Sequence, residues 1–133
     1  MLLTNGRIYI RAVADRGKPF RKLDGGFDGD LSIGFWSKDG RTIYTSFDKP
    51  LAKADSHSVL VAIDVATATH RILLDREGMS YFAGPVSPDN RTLVVMSESD
   101  TTPRQAPQVK LHLLDVSAPG EPAILTVTEA GML

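Results

Sequence analysis

Cysteine is absent from this chain, and the sequence has neither a long hydrophobic run nor a large excess of charge of either sign. Zero cysteines exclude disulfides, thiolate metal sites and a cysteine nucleophile, and they leave the compartment open between cytoplasm and periplasm. No apolar run approaches the roughly 20 residues that a membrane-spanning helix needs. The formal net charge of −1 offers no basic excess to neutralise phosphates. The sequence therefore predicts neither nucleic acid nor a membrane as partner.

One motif is present twice, about fifty residues apart. Residues 34–44 have the sequence GFWSKDGRTIY, and residues 84–94 have the sequence GPVSPDNRTLV. Glycine, serine, aspartate, arginine and threonine recur in register. Gly40 is replaced by Asn90, and these two residue types tolerate a positive φ. The match predicts one turn used twice, with residues 40 and 90 in the left-handed conformation.

Short alternating segments around these turns predict an all-β chain. A repeat period of roughly 40–50 residues made only of strands is typical of β-propeller blades, which bury their faces against neighbouring blades. We therefore predict a single β-propeller segment over residues 1–133, with a half blade (7–24) and two four-stranded antiparallel blades (31–75 and 81–128). About two and a half blades make a partial propeller, and we expect the chain to be a fragment of a larger ring.

Local patterns add expectations about individual strands and loops. Residues 31–37 are expected to form one strand, with Leu31 and Ile33 on the same face. The run 59–65 is apolar on both faces, which predicts a strand packed between two other blades. The polar stretches 48–58 and 98–108 are expected to be long loops on one face of the disc, where binding residues usually lie.

The repeated turn resembles the signature of a known group of propellers. SPDNR at residues 87–91 and SKDGR at residues 37–41 are similar to the Ser-Pro-Asp-Gly-Arg/Lys sequence of TolB-type repeats. The same repeats build the N-terminal propellers of the prolyl oligopeptidase family of serine peptidases, which includes acylaminoacyl and dipeptidyl peptidases. A polar insertion before the third strand, here residues 97–104, resembles the peptidase propellers more than the shorter TolB blades. The resemblance covers residues 7–128.

This resemblance implies a non-catalytic role. The segment would limit substrate access to a hydrolase domain outside these 133 residues, with a peptide substrate as partner through that domain. The family's hydrolase domain carries a Gly-x-Ser-x-Gly elbow, and no such sequence occurs here. The segment alone is therefore expected to be inert, without a catalytic residue or a cofactor. The alternative is a TolB-type or other scaffold propeller that binds a protein partner.

Candidate substrate-binding residues lie in the two polar stretches, because the resemblance places propeller loops beside the substrate cavity. They are Lys53, His57, Asp100 and Arg104.

Other reactive or aromatic side chains have simpler interpretations. Ser37 and Ser87 have no histidine near them in sequence and are interpreted as turn residues. The three histidines show no spacing suited to a metal ion, so no metal site is predicted. Trp36 and Tyr81 are either ligand-stacking aromatics or core residues between blades, and core packing is the favoured interpretation.

Overall fold

The computed structural model describes residues 1–4, 6–23, 29–50, 56–99, 109–117 and 124–130. These residues form antiparallel β-sheets, with one short 3-10 helix at Val13–Asp15 and no α-helix in the described part. The all-β prediction is confirmed. Within the same residues, no helix has the length and apolar character required to cross a membrane.

Three sheets follow one another along the chain, and in each of them every strand pairs with its neighbour in sequence. The first sheet contains β1 (Leu2–Thr4), β2 (Arg7–Ile10) and β3 (Arg21–Leu23). The second contains β4 (Phe35–Trp36), β5 (Thr42–Pro50), β6 (Ser56–Asp64) and β7 (His70–Leu74). The third contains β8 (Met79–Val86), β9 (Thr92–Ser99), β10 (Val109–Asp115) and β11 (Ile124–Ala130). The first sheet thus has three strands, and one of them, β1, lies before residues 7–24, over which the half blade was predicted.

The second sheet packs between the other two sheets, and its strand β6 contributes side chains to the hydrophobic core on each face. Val59, Val61 and Ile63 belong to a cluster with residues of the first sheet. Leu60 and Ala62 belong to a cluster with residues of the third sheet. Successive side chains of a strand point to opposite faces, so an unbroken apolar run is buried from both sides. The prediction of a doubly buried strand is confirmed.

The two repeated turns have the same hydrogen bonds. In the first, the Ser37 hydroxyl donates to Asp39 Oδ1 (2.6 Å) and accepts from the Thr42 amide (3.0 Å). Asp39 Oδ1 also accepts from the Arg41 amide (3.1 Å). Gly40 takes φ +72°. These bonds lie within six consecutive residues, which is why the sequence predicts the turn.

The second copy repeats each of these features. The Ser87 hydroxyl donates to Asp89 Oδ1 (2.5 Å) and accepts from the Thr92 amide (3.0 Å). Asp89 Oδ1 accepts from the Arg91 amide (3.0 Å), and Asn90 takes φ +61°. The predicted equivalence of residues 40 and 90 is confirmed.

The Asn90 side chain also connects the two copies. Its Oδ1 accepts a hydrogen bond from the Lys38 amide at 2.5 Å. The second copy has Pro88 at the position of Lys38, and proline has no amide hydrogen to donate. Glycine has no side chain, so only the asparagine of the second copy can bond to the turn of the first copy in this way.

These turns carry our first prediction. Gly40→Val is expected to lower the free energy of unfolding by about 1 kcal/mol or more, because a β-branched residue is strained at positive φ. No atom lies within 4 Å of a Cβ built at Gly40, so the cost would come from the backbone alone. In Asn90→Gly, relief of φ strain opposes loss of the Lys38 bond, and we expect a change within about 0.5 kcal/mol.

Urea unfolding of both variants tests this prediction, with Lys38→Val as the control in the same turn. If Gly40→Val unfolds at the same urea concentration as Lys38→Val, the left-handed conformation of residue 40 does not affect the free energy of unfolding.

The first strand of the second sheet is shorter than predicted. Only Phe35–Trp36 pairs as a strand, with a single bridge from Leu31 to Phe47. Ile33 is 66% exposed while Leu31 is buried, so the expected shared face is wrong. The Thr45 hydroxyl donates to the Ser32 carbonyl (2.9 Å), a side-chain bond that the alternation pattern could not reveal.

The predicted long loop over residues 48–58 is wrong at both ends. β5 continues to Pro50 and β6 begins at Ser56, with Lys49 opposite His57 in the ladder. The ladder is made by the backbone, so polar side chains do not end it at the margin of a sheet. In the other stretch, Glu98 and Ser99 belong to β9, and residues 100–108 lie outside the described part.

Candidate functional site

One of the four candidate substrate-binding residues lies in the described part of the chain. His57 is there, whereas Lys53, Asp100 and Arg104 lie outside the described residues. His57 is in β6 rather than in a loop, and it is 3% exposed. Contact of these four residues with substrate stays a prediction.

His57 belongs to a charged cluster at the end of the second sheet. Its Nε2 lies 2.6 Å from Asp75 Oδ1, and the Lys49 ammonium lies 2.9 Å from Asp75 Oδ2. Lys49 faces His57 across the β5–β6 ladder, and Asp75 directly follows β7. Three adjacent strands thus bring the groups together. The hydrogen bond from His57, followed by that from Lys49, lowers the pKa of the Asp75 carboxyl below its ordinary value.

The cluster orients the His57 ring. An ionised carboxylate only accepts hydrogen bonds, so Nε2 carries the proton that faces Asp75. Nδ1 is buried and has no hydrogen-bond partner within the described residues. A histidine held by a carboxylate is the orienting half of a catalytic triad. Among the described residues, no hydroxyl bonds to Nδ1.

The third sheet contains a serine and a histidine in contact, which the sequence analysis did not identify. Ser97 Oγ lies 2.7 Å from His112 Nε2, the distance expected for a nucleophile and its base. Ser97 is fully buried and His112 is nearly so, so a substrate carbonyl has no path to the hydroxyl. Both side chains point into the core from the neighbouring strands β9 and β10. The alternation of inward-facing and outward-facing residues along these strands is the sequence pattern that could have predicted their burial.

His112 carries our second prediction. Burial, followed by the charge of Lys110, lowers the pKa of His112 below its ordinary value of 6.5. The unfolded chain therefore binds this proton more readily than the folded chain does. The stabilisation is complete above about pH 6.5 and is lost as the pH falls through the lowered pKa of the folded state.

Urea unfolding between pH 8 and pH 5 tests this prediction. We expect the free energy of unfolding of the native chain to decrease over this range, and His112→Gln to flatten the decrease. The control is His70→Gln, because His70 is exposed. An unchanged pH dependence in His112→Gln would show that this ring does not titrate with folding.

Most of the other interpreted side chains have the expected structural roles. The Ser37 and Ser87 hydroxyls bond inside their turns, as predicted. Two further equivalent residues also bond within their turns: Asp64 accepts from the amide three residues later (3.0 Å), and Asp115 accepts from the amide two residues later (2.9 Å). Tyr81 is a core residue between the second and third sheets, as favoured, whereas Trp36 is 36% exposed, so the favoured core interpretation is wrong for Trp36.

An apolar face of the third sheet points away from the second. The ladder registers place Phe82 opposite Met96 and Met96 opposite Leu111, so the three form a row across β8, β9 and β10. Leu111 corresponds to Leu60 when the two repeats are aligned. Leu60 is fully buried under the third sheet, whereas Leu111 is 42% exposed. The face of the third sheet that carries Leu111 is therefore partly exposed to solvent, whereas the equivalent face of the second sheet, which carries Leu60, is buried against the third sheet.

Neither a group of metal ligands in the described residues nor a known relative assigns a function to the chain. Over the described ranges, no group of three or more histidine, cysteine, aspartate or glutamate side chains could hold a metal ion. Comparison of the chain with protein families, curated proteins and solved structures found no match.

Proposed function

We propose that the three sheets are consecutive blades of a partial β-propeller and that the chain is a non-catalytic propeller segment. In this proposal it resembles the N-terminal propeller of a prolyl-oligopeptidase-family serine peptidase. Its role is to limit access of peptide substrates to a separate hydrolase domain. The observation that carries the proposal is that two repeats with the same turn hydrogen bonds form sheets stacked face to face.

The strand order supports this proposal. The second and third sheets each contain four antiparallel strands in sequence order, and each follows its predecessor directly along the chain. Blades of a propeller are sheets of this kind arranged around an axis. The bond from the Lys38 amide to Asn90 then joins equivalent turns of neighbouring blades.

The apolar row formed by Phe82, Met96 and Leu111 supports the same proposal. Apolar sheet faces are covered in a closed propeller, because each blade packs against the next. Since the third sheet covers Leu60, a further sheet of the same repeat is the occupant expected over Leu111.

The non-catalytic role is supported by the two histidines in polar contacts. The Ser97 hydroxyl beside His112 is fully buried, and no described hydroxyl bonds to His57 Nδ1. A propeller of this class contributes shape and exclusion, while acyl transfer requires an accessible serine activated by a base.

The second candidate is a scaffold propeller of the TolB type that binds a protein partner. The exposed Met96 and Leu111 side chains of the apolar row favour it, since exposed apolar surfaces are also protein-binding sites. In a longer protein containing this chain, a Gly-x-Ser-x-Gly sequence in an α/β region would support the peptidase proposal. Further blades without a hydrolase domain would support the scaffold.

Sedimentation velocity of the chain at micromolar concentration tests the open-propeller proposal. We expect self-association, because an uncovered apolar sheet face is an association site. The double variant Met96→Lys/Leu111→Lys is expected to be monomeric, since charges on both partners would have to be desolvated. The matched control Ile72→Lys changes an exposed apolar residue of β7 and should associate like the native chain.

Two results would overturn the proposal. A sharp monomer that unfolds cooperatively and does not bind a hydrophobic dye would mean that the chain closes its own core. Stoichiometric labelling of any serine by a fluorophosphonate probe would mean that the segment is itself catalytic.

A further inference from the structure

A cavity of about 400 Å³ lies between the first and second sheets. Its walls come from the segment that joins β2 to β3 and, on the opposite side, from Trp36, Gly40 and Val65. The volume is within the range of about 300–1,000 Å³ that is typical of small-molecule sites. No atom occupies the 4 Å around a Cβ built at Gly40, in keeping with open space beside the turn.

The cavity combines an apolar wall with positive charge. Trp36, the chain's single tryptophan, lies at the wall and is 36% exposed, beside Pro19 and Val65. Three cations and one carboxylate also line the space, giving a formal local charge of +2 in a chain of net charge −1. They are Arg11, Lys18, Arg21 and Asp15.

Each of the two guanidinium groups makes contacts within the chain that leave further N–H donors for a ligand. Arg21 donates to the Val65 carbonyl, which ties the first sheet to the second. Arg11 donates to the Lys18 carbonyl (3.2 Å) and stacks 4.3 Å above the Phe20 ring. A guanidinium has five N–H donors in a planar fork that matches a carboxylate, and each of these bonds uses one nitrogen.

We propose that this cavity binds a small aromatic carboxylate. The ring packs on the Trp36 indole and the neighbouring apolar wall, and the carboxylate pairs with the guanidinium groups of Arg11 and Arg21. Either a free aromatic acid or the C-terminal phenylalanine of a peptide presents this chemistry.

The site goes beyond the proposed function; it shares Trp36 and Gly40 with the first repeated motif but lies away from the His57 cluster. Val65 directly follows β6, whereas His57 lies near the opposite end of that strand, about 25 Å away at the rise of an extended chain. The cavity lies between the first two sheets, so it does not depend on what covers the third. The ligand-binding test can therefore fail while the propeller proposal holds, and the propeller proposal can fail while the cavity still binds its ligand.

Fluorescence of Trp36 provides the test, because the chain has a single tryptophan. The purified full chain is titrated with 3-phenylpropionate, N-acetylphenylalanine and the neutral N-acetylphenylalanine amide. We expect a saturable change with one or both acids at a dissociation constant below about 1 mM, and binding of the amide weaker by about tenfold or more.

Charge-removing variants localise the binding. Arg21→Gln is expected to raise the dissociation constant about tenfold, and Lys18→Gln, whose side chain is largely exposed, should raise it less. Arg16→Gln is the matched control, since this exposed arginine lies in the same segment but does not line the cavity. Circular dichroism confirms that each variant is folded.

The two acids distinguish the sources of the ligand. Preference for N-acetylphenylalanine indicates a peptide C-terminus, and preference for 3-phenylpropionate indicates a free acid. A fluorescence change that does not saturate, equal binding of acid and amide, or equal effects of Arg21→Gln and Arg16→Gln in folded variants would overturn the proposal.

Discussion

Leu60→Ala is expected to destabilise the chain by about 2–5 kcal/mol, whereas Leu111→Ala is expected to cost about 1 kcal/mol or less. The two leucines are equivalent in the repeat and identical in chemistry. Leu60 is fully buried between the second and third sheets, so truncation leaves a cavity there. Leu111 is 42% exposed on the uncovered face, so truncation removes less buried surface and leaves no enclosed cavity.

Urea unfolding measures both changes, and the contrast between them is the informative quantity. The single variant Met96→Lys leaves position 111 available for substitution and, if it is monomeric, provides a background in which association does not obscure the unfolding curve. Equal destabilisation at positions 60 and 111 would mean that the third sheet is covered in solution, by another copy or by another part of the chain.

Asp75→Ala is expected to destabilise the chain by about 2–3 kcal/mol. The substitution leaves the buried His57 ring without its acceptor and removes the partner of Lys49. Lys49 is half exposed and can turn to water, so the buried imidazole accounts for most of the cost.

A double-mutant cycle separates this interaction from general damage. His57→Phe and Asp75→Ala are expected to be non-additive by about 1–2 kcal/mol, because each removes the same hydrogen bond. The control is the pair Lys49→Ala and Asp75→Ala, for which we expect a smaller non-additivity because Lys49 is half exposed. Additive effects of the His57 and Asp75 substitutions would mean that their contact does not stabilise the fold.

The pH dependence of the Asp75 contribution has a defined sign. The carboxyl has a lowered pKa in the folded chain, so the unfolded chain takes up its proton first as the pH falls. The contribution is present above the ordinary pKa of 3.8 and is lost as the pH falls through the lowered value. Asp75→Ala should therefore lose more stability at pH 6 than at pH 2.

The turns could be predicted from sequence because their interactions are local. The hydroxyl of Ser37, the carboxylate of Asp39 and the amides they bind lie within six residues, and Ser87 and Asp89 repeat them. The left-handed conformations of residues 40 and 90 follow from residue type. The double burial of β6 was predictable as well, since an unbroken apolar strand is stable only with cover on both faces.

Polar strand ends and cluster partners could not be predicted in this way. Lys49 and His57 were expected in a loop because polar sequence resembles loop sequence, but backbone pairing continues through them. Asp75 is 18 residues from His57 and acquires its role only when three strands align. Ser97 and His112 meet for the same reason across a ladder.

The sequence by itself determined the all-β class, the repeated turn and its left-handed residues, because these depend on side chains close along the chain. Only the tertiary structure decided which equivalent positions are buried. Leu60 and Leu111 have the same local chemistry, but a sheet packs over the former and none of the described residues packs over the latter. Burial is a property of what lies across the interface, so two copies of one pattern can have one local structure and two different energies.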